Sequence, residues 1–424
     1  MKKIAILGGC GAVGRVATKT ILSLGNFEIT VADKETALFE KTFEGYTNLI
    51  KFKEFDANDS NSIRKAIEDS DVVLNTVGPF YKYGPRILKE VIEMNKNYVD
   101  ICDDFDATKE DFNLNEVAKN KNLSCLIGMG SSPGFANILV KFADNFLFDR
   151  IESIDIYHAH GGEEYEGPAV VKHRIHSMII DIPVYIDGEF RNVKLFEESG
   201  KLLEEEEEFY NLGKYPVYAY PHPETITLPK YIKNVKRVTN LGLVLPPQYA
   251  ELIKNVVKIG MVEEEPIDFM GQKISPLEFS VNYILHKRKE LIEKYGPKEP
   301  VGCLKIKIKG SKNSNKLEYD FSMFSKGKGM GEGTGIPAAI GTYLMAEGLI
   351  KEKGVFPPEG GVNPVDALKV LVKLSGKEAE FPILIEKIDE KGNKEKINPL
   401  NLLSKFIVWF FRIKYKCKSQ FYFD

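Results

Sequence analysis

The stretch Lys3-Ile4-Ala5-Ile6-Leu7-Gly8-Gly9-Cys10-Gly11-Ala12-Val13-Gly14 decides how the rest of the chain is read. An aliphatic run short enough for a buried strand gives way to glycines at 9, 11 and 14, which fill a G-x-G-x-x-G frame ahead of a helical pattern. Each glycine has a mechanical reason. Gly9 permits a tight turn, Gly11 lets the backbone approach a diphosphate, and Gly14 lets the helix pack closely on the strand. Ala12 and Val13 then sit at the helix N-terminus, where free N–H groups and the helix dipole favour an anion.

Working outward, the second strand candidate, Glu28–Ala32, ends at Asp33, about 20 residues beyond the glycines, where an acid accepts from the adenosine ribose hydroxyls. That carboxylate repels a 2′-phosphate and favours NAD, while Lys34 beside it could meet the phosphate, so NADP stays open. Asp33 could instead serve only as a helix N-cap. The third strand, Ile50–Phe55, leads into Asp56-Ala57, which would meet the adenine amino group. The fourth, Val72–Val77, leads into Gly78-Pro79, so Val77, Gly78 and Pro79 are expected beside the nicotinamide half. With Tyr98–Ile101 and Ser124–Ile127 there are six strands alternating with helical stretches. The pattern predicts an α/β fold, a Rossmann doubly wound parallel sheet over residues 1–148, with NAD or NADP lying beyond the carboxyl ends of its strands.

Between 149 and 333 the periodicity changes. Cys303–Lys309 and Leu317–Met323 alternate apolar with polar residues around a Gly-Ser-Lys-Asn-Ser-Asn turn, as in an antiparallel sheet with one wet face, and helical patterns cover Pro247–Lys258 and Pro276–Tyr295. An inserted α+β substrate domain is expected here. A late helix from Thr334 and another near Asn363 suggest a return to the first domain over about 334–375, leaving 376–424 as a tail of unknown role. The acidic run Glu204–Glu208 is expected to be a solvated loop or helix face.

Composition narrows the partners. The 424 residues carry a net charge of −3, which leaves no excess of positive charge for nucleic acid. No apolar run approaches the ~20 residues of a membrane span; the strongest, Phe406–Phe411, is bracketed by Lys405 and Arg412. With no secretory pattern at the N-terminus, a cytoplasmic protein is expected. Five scattered cysteines suggest reduced thiols and no structural metal.

Several segments together resemble the saccharopine dehydrogenase (saccharopine reductase) family, which includes related lysine and carboxynorspermidine dehydrogenases. They are the glycine turn, Asn75 to Phe80, Tyr98-Val99-Asp100-Ile101, Gly130 to Asn137, Pro221-His222-Pro223-Glu224 with Thr227-Leu228-Pro229, Thr334-Gly335-Ile336-Pro337 and Pro357-Pro358-Glu359. The resemblance implies hydride transfer between a nicotinamide and a carbon bearing an amine, through an imine, on an amino-acid-like substrate. One departure matters: saccharopine reductases have Asp where this chain has Ser132, which puts saccharopine itself in doubt.

Amine oxidation requires an unprotonated nitrogen, hence a base near the nicotinamide. Asp100 and Asp103 close the fifth strand, with Asp103 the expected catalytic group and Asp100 a substrate contact or loop anchor. His222 and Glu224, in a proline-stiffened segment, form the second catalytic candidate. A substrate carboxylate calls for a cation, and Lys172-His173-Arg174-Ile175-His176, read as a strand, would put Lys172, Arg174 and His176 on one face with Arg174 as anchor. His158 and His160 share a strand face too, but no third ligand suggests a metal site. A homodimer is expected. The alternative from another class is a nicotinamide-binding sensor or scaffold without turnover.

Overall fold

In the computed structural model, which describes residues 1–163, 166–375, 383–399 and 401–402, the opening run forms β1 (Lys3–Leu7), buried from Ile4 onward. It is followed by β2 (Glu28–Asp33), β3 (Ile50–Glu54), β4 (Val72–Asn75), β5 (Asn97–Asp100) and β6 (Ser124–Leu126). These pair in parallel in the order β6-β5-β4-β1-β2-β3, and the strand Gly354–Phe356 adds a seventh beyond β6. The order reverses at β1, so a crevice opens beyond the carboxyl ends of β1 and β4.

The glycines set the spacing around that crevice. A Cβ at Gly9 would come within 2.8 Å of Val31 Cγ1, and one at Gly14 within 2.7 Å of Gly9 Cα. The helix Ala12–Leu24 therefore lies directly on the turn. The late helix, Met330–Ala346, packs on it through glycines of its own: a Cβ at Gly331 would meet Ala12 O at 2.7 Å, and one at Gly335 would meet Val13 O at 2.8 Å. This helix begins before Thr334 because the Glu332 carboxylate accepts from Gly329 N at 3.0 Å and closes an earlier first turn.

The second sheet has ten strands. They are β7 (Arg150–Gly161), β8 (Ile182–Ile186), β9 (Glu189–Val193), β10 (Glu205–Phe209), β11 (Gly213–Ala219) and β12 (Arg237–Leu245), then, after a small β13 (Ile267–Phe269) and β14 (Gln272–Ile274) hairpin outside the sheet, β15 (Val301–Lys312) and β16 (Asn315–Lys326). With Gly354–Phe356 as β17, the set ends in β18 (Ile383–Asp389) and β19 (Lys394–Ile397), so part of the segment after 376 extends this sheet beyond β16. Phe406–Phe411 and Cys417 lie outside the described residues. The sheet is mixed rather than purely antiparallel, since β12 runs parallel to β7. The β15–β16 hairpin turns on Asn313 and Ser314, both in the left-handed region (φ 50° and 68°), as a two-residue turn needs.

Two local expectations are corrected. Residues 172–176 lie in a helix, Pro168–Ile179, not a strand. Val171, Ile175 and Met178 are its buried apolar positions, spaced at helical period, and Pro168 is suited to the first turn. The acidic run forms β10, and Glu207 is buried between Lys305 (2.7 Å) and Lys307 rather than solvated.

One hydrophobic core joins both sheets. It holds Ile4, Ile6 and Val31 from the first, Ile154, Ile156, Ile306 and Phe321 from the second, and the helix Phe135–Phe146 between. No helix among the described residues is long and apolar enough to cross a membrane.

Candidate active site

The coenzyme half of the crevice is built from backbone. Gly8 turns the chain with φ +73°, and the helix that starts on Gly11 has no side-chain cap, so its leading N–H groups face the crevice without an internal acceptor from a side chain. Asp33 accepts from Cys10 N (2.9 Å) and Lys34 N (2.8 Å), which fixes the carboxylate at the turn. Lys34 is exposed beside it. Asp56 is exposed and accepts from Asn58, which holds its carboxyl below the usual range, while Ala57 is buried. Val77, Gly78 and Pro79 are half-buried at the end of β4. A close-approach turn, an uncapped helix start and a carboxylate at the ribose position are the donor and acceptor set that a nicotinamide dinucleotide requires.

Beyond β5 the chain delivers Asp103 and Asp104 to the helix Pro168–Ile179. His173 bridges them, with Nδ1 2.8 Å from Asp104 Oδ1 and Nε2 3.5 Å from Asp103 Oδ2. Burial opposes charge on this imidazole, but the two carboxylates win and push its pKa well above the ordinary value. Asp104, buried as it is, falls below the usual range because of His173. Asp103 rises, since burial outweighs His173 and His222. One helical turn on, His176 Nε2 lies 2.8 Å from Asp106 Oδ2, and its ring stacks on Tyr81 with centroids 4.1 Å apart. Asp103, Asp104 and His173 each offer a ligand atom within 4.8 Å of the others, as do Asp104, Asp106 and His176. In both groups the imidazole has a carboxylate partner.

His222 and Glu224 come from the turn after β11 and the start of the helix Glu224–Tyr231. His222 Nδ1 is 3.6 Å from Glu224 Oε2, and Ser132 donates to Glu224 Oε1. Asn240 of β12 also reaches that oxygen. Deeper in, Glu359 accepts from Asn137 Nδ2 at 2.8 Å, and burial lifts its pKa to about 7.

Thus Asp103, His222 and Glu224 converge, joined by His173, which the sequence displayed only as part of a basic-looking string. Two expected substrate contacts stand elsewhere. Asp100 is wholly buried and accepts from Gly128 N (2.7 Å) and Cys102 N (3.0 Å), so it pins the loops after β5 and β6. Arg174 is 5% exposed and paired with Glu166 at 2.9 Å, a carboxylate that also takes Arg288 at 2.8 Å and the Tyr249 hydroxyl. On a helix it cannot share a face with Lys172 and His176 as the strand reading required. His176 lies half-buried between Tyr81 and Asp106. The Tyr81 stack and the Asn137–Glu359 pair left no pattern in sequence, because each joins distant segments.

Comparison with known proteins agrees with this architecture. Residues 4–125 match the saccharopine dehydrogenase NADP binding domain, and residues 130–377 match the saccharopine dehydrogenase C-terminal domain. The chain belongs to the saccharopine dehydrogenase family. It is 24% identical over 394 residues to carboxyaminopropylagmatine dehydrogenase of Synechocystis sp., spanning 88% of this chain and 95% of that one. It is 22% identical over 400 residues to carboxynorspermidine synthase of Vibrio cholerae, spanning 86% and 93%. Its fold resembles saccharopine dehydrogenase (L-Glu forming) from Saccharomyces cerevisiae, with a TM-score of 0.65 at 15% identity over 94% of this chain and all of that one. The protein is therefore an oxidoreductase of this family, with a Rossmann domain for NAD or NADP and a second, mixed-sheet domain.

Proposed function

We propose that the protein interconverts an imine and a secondary amine within an amino-acid-like amine, using NAD(P)(H). The observation that carries this reading is the clustering of Asp103, His173, His222 and Glu224, with Tyr220 between the two imidazoles, beside the crevice that would take the coenzyme. The bound coenzyme supplies or accepts the hydride. Asp103, with its pKa raised, and the His222–Glu224 pair are placed to hold or release the proton of the substrate nitrogen. His173, kept charged, fixes the two aspartates.

The charge balance supports an ammonium-bearing chain over lysine-derived saccharopine. Arg174 and Arg288 are both engaged by Glu166, while Asp103 and Asp106 face the imidazoles His173 and His176. Ser132 stands where saccharopine reductases have Asp, and two relatives are named for carboxylated polyamines. The test is coenzyme binding followed by turnover of amines, including diamines, a guanidino-amine and lysine, each paired with a short oxo acid. Coenzyme-dependent formation of a secondary amine, with the diamines or guanidino-amine preferred to lysine, is expected. Absence of affinity for both NADH and NADPH would overturn the reading.

A further inference from the structure

The inward face of β7 carries Ile154 and Ile156 in the shared core, and the same face then continues into the crevice as His158 and His160. The His158 ring lies flat on β12 at Gly242, where any side chain would collide with it. It stacks on His222, with centroids 5.2 Å apart and planes at 12°, and lies 6.4 Å from His160 at 27°. Tyr220 meets His158 and His222 edge-on at 5.0 and 5.1 Å. Carboxylates close both ends of this row. His222 Nδ1 is 3.6 Å from Glu224 Oε2, and His160 Nδ1 is 3.8 Å from Glu163 Oε1.

Burial falls along the row, from 0% side-chain exposure at Glu224 and 8% at His222 to 22% at His160 and 15% at Glu163. His222 Nδ1, His158 Nε2 and His160 Nδ1 are all buried without a hydrogen-bond partner. Buried imidazoles are a costly way to pack a wall, since phenylalanine or leucine would fill the space without that desolvation cost. Imidazoles can take up and pass on a proton, each step here needing a ring flip or a bridging water, because a ring N–H lies in the plane of its ring.

We propose that His222, His158 and His160 form a proton wire between the enclosed end of the crevice, at Ser132 and Glu224, and solvent at Glu163. The proposal rests on the imine-reducing function above. In that direction the carbon gains a hydride with its electron pair, the nitrogen gains one proton, and the C=N double bond becomes a single bond. The proton leaves His222, which is refilled from His158, then His160, then solvent; amine oxidation runs the same path outward. No group of the wire is oxidised or reduced. The groups facing the wire are Arg174 and Asn240 at His158, Asp103 and Glu224 at His222, and Glu163 at His160. Burial, the two neighbouring imidazoles and Arg174 depress the His158 pKa strongly.

The test is His158→Phe, which keeps an aromatic ring in the stack and interrupts the wire at its middle. Turnover should fall 10- to 100-fold with coenzyme affinity and KM changed less than twofold. The solvent deuterium isotope effect should rise, and added imidazole should restore part of the rate. A second readout needs neither coenzyme nor turnover. In nitrogen-resolved NMR of the free protein, the His222 ring proton should exchange with solvent at least tenfold more slowly in His158→Phe than in the wild type. Should that variant fail to fold, His160→Gln at the more exposed end should show the same imidazole-rescuable slowing. Unchanged turnover and isotope effect in a folded variant, or unchanged exchange of the His222 ring proton, would overturn the wire. If no amine–oxo acid pair reacts, the imine reading fails and the exchange of the His222 ring proton alone decides whether the imidazoles relay a proton.

Discussion

Asp111 shows most plainly how the fold remakes a residue. It is fully buried in the helix Phe105–Phe112, and neither carboxylate oxygen has a hydrogen-bond partner. Burial, then Asp100 and Glu110, raise its pKa well above the usual value. Because the folded state binds this proton more tightly than the unfolded chain, its contribution is favourable at low pH and is lost as pH rises from about 4 through the folded-state value. Asp111→Asn removes the charge while keeping the shape. We expect it to raise the melting temperature at pH 8 by a few degrees, on the order of 1–2 kcal/mol, and to change little at pH 4. A thermal melt at both pH values decides the matter: equal effects would mean that the carboxyl titrates alike in the folded and unfolded chain. The same scale separates what residue identity could tell. Asp33 was legible because its place follows from a fixed spacing to the glycines. Arg174 misled because a buried arginine and a substrate anchor look alike until Glu166 is seen beside it.

At the scale of elements, the crevice depends on how closely two helices approach. Helix Met330–Ala346 reaches helix Ala12–Leu24 through Gly331 and Gly335, and a Cβ at Gly335 would also lie 2.9 Å from Val16 Cβ. Gly335→Val should therefore push the two apart, displace the N–H groups after Gly11, and weaken coenzyme binding at least tenfold, about 1.4 kcal/mol, along with a lower melting temperature. Calorimetric titration with NADH and NADPH measures it, and undiminished affinity in the folded variant would show that the late helix does not shape the diphosphate site. Strands of the parallel sheet were readable because each is a short apolar run closed by a glycine or an acid. Residues 172–176 were misread because five residues cannot distinguish alternation from the helical spacing that Val171, Ile175 and Met178 reveal over eight.

For the whole molecule, the consequential feature is that one hydrophobic cluster spans both sheets, with further clusters confined to each domain. Two domains with separate cores would melt separately. Here the described residues share Ile4, Phe142, Ile156 and Ile306 in one packed cluster, so unfolding should be one transition by both near- and far-ultraviolet circular dichroism. Coenzyme at 100 times its dissociation constant should shift that whole transition, by roughly 2.7 kcal/mol. Two resolved transitions, only one moving with coenzyme, would show that the sheets fold independently.

By itself the sequence determined the parallel sheet and the coenzyme turn, because these rest on local spacing: glycines three and five residues apart, and strands ended by particular side chains. It also marked Asp103, His222 and Glu224 as chemically able. Only the tertiary structure decided that these three meet, that His173 joins them, that Arg174 and Asp100 are sealed away, and that three imidazoles line one wall. Such contacts link residues tens to hundreds of positions apart, and the packing that creates them depends on the two sheets sharing one interior.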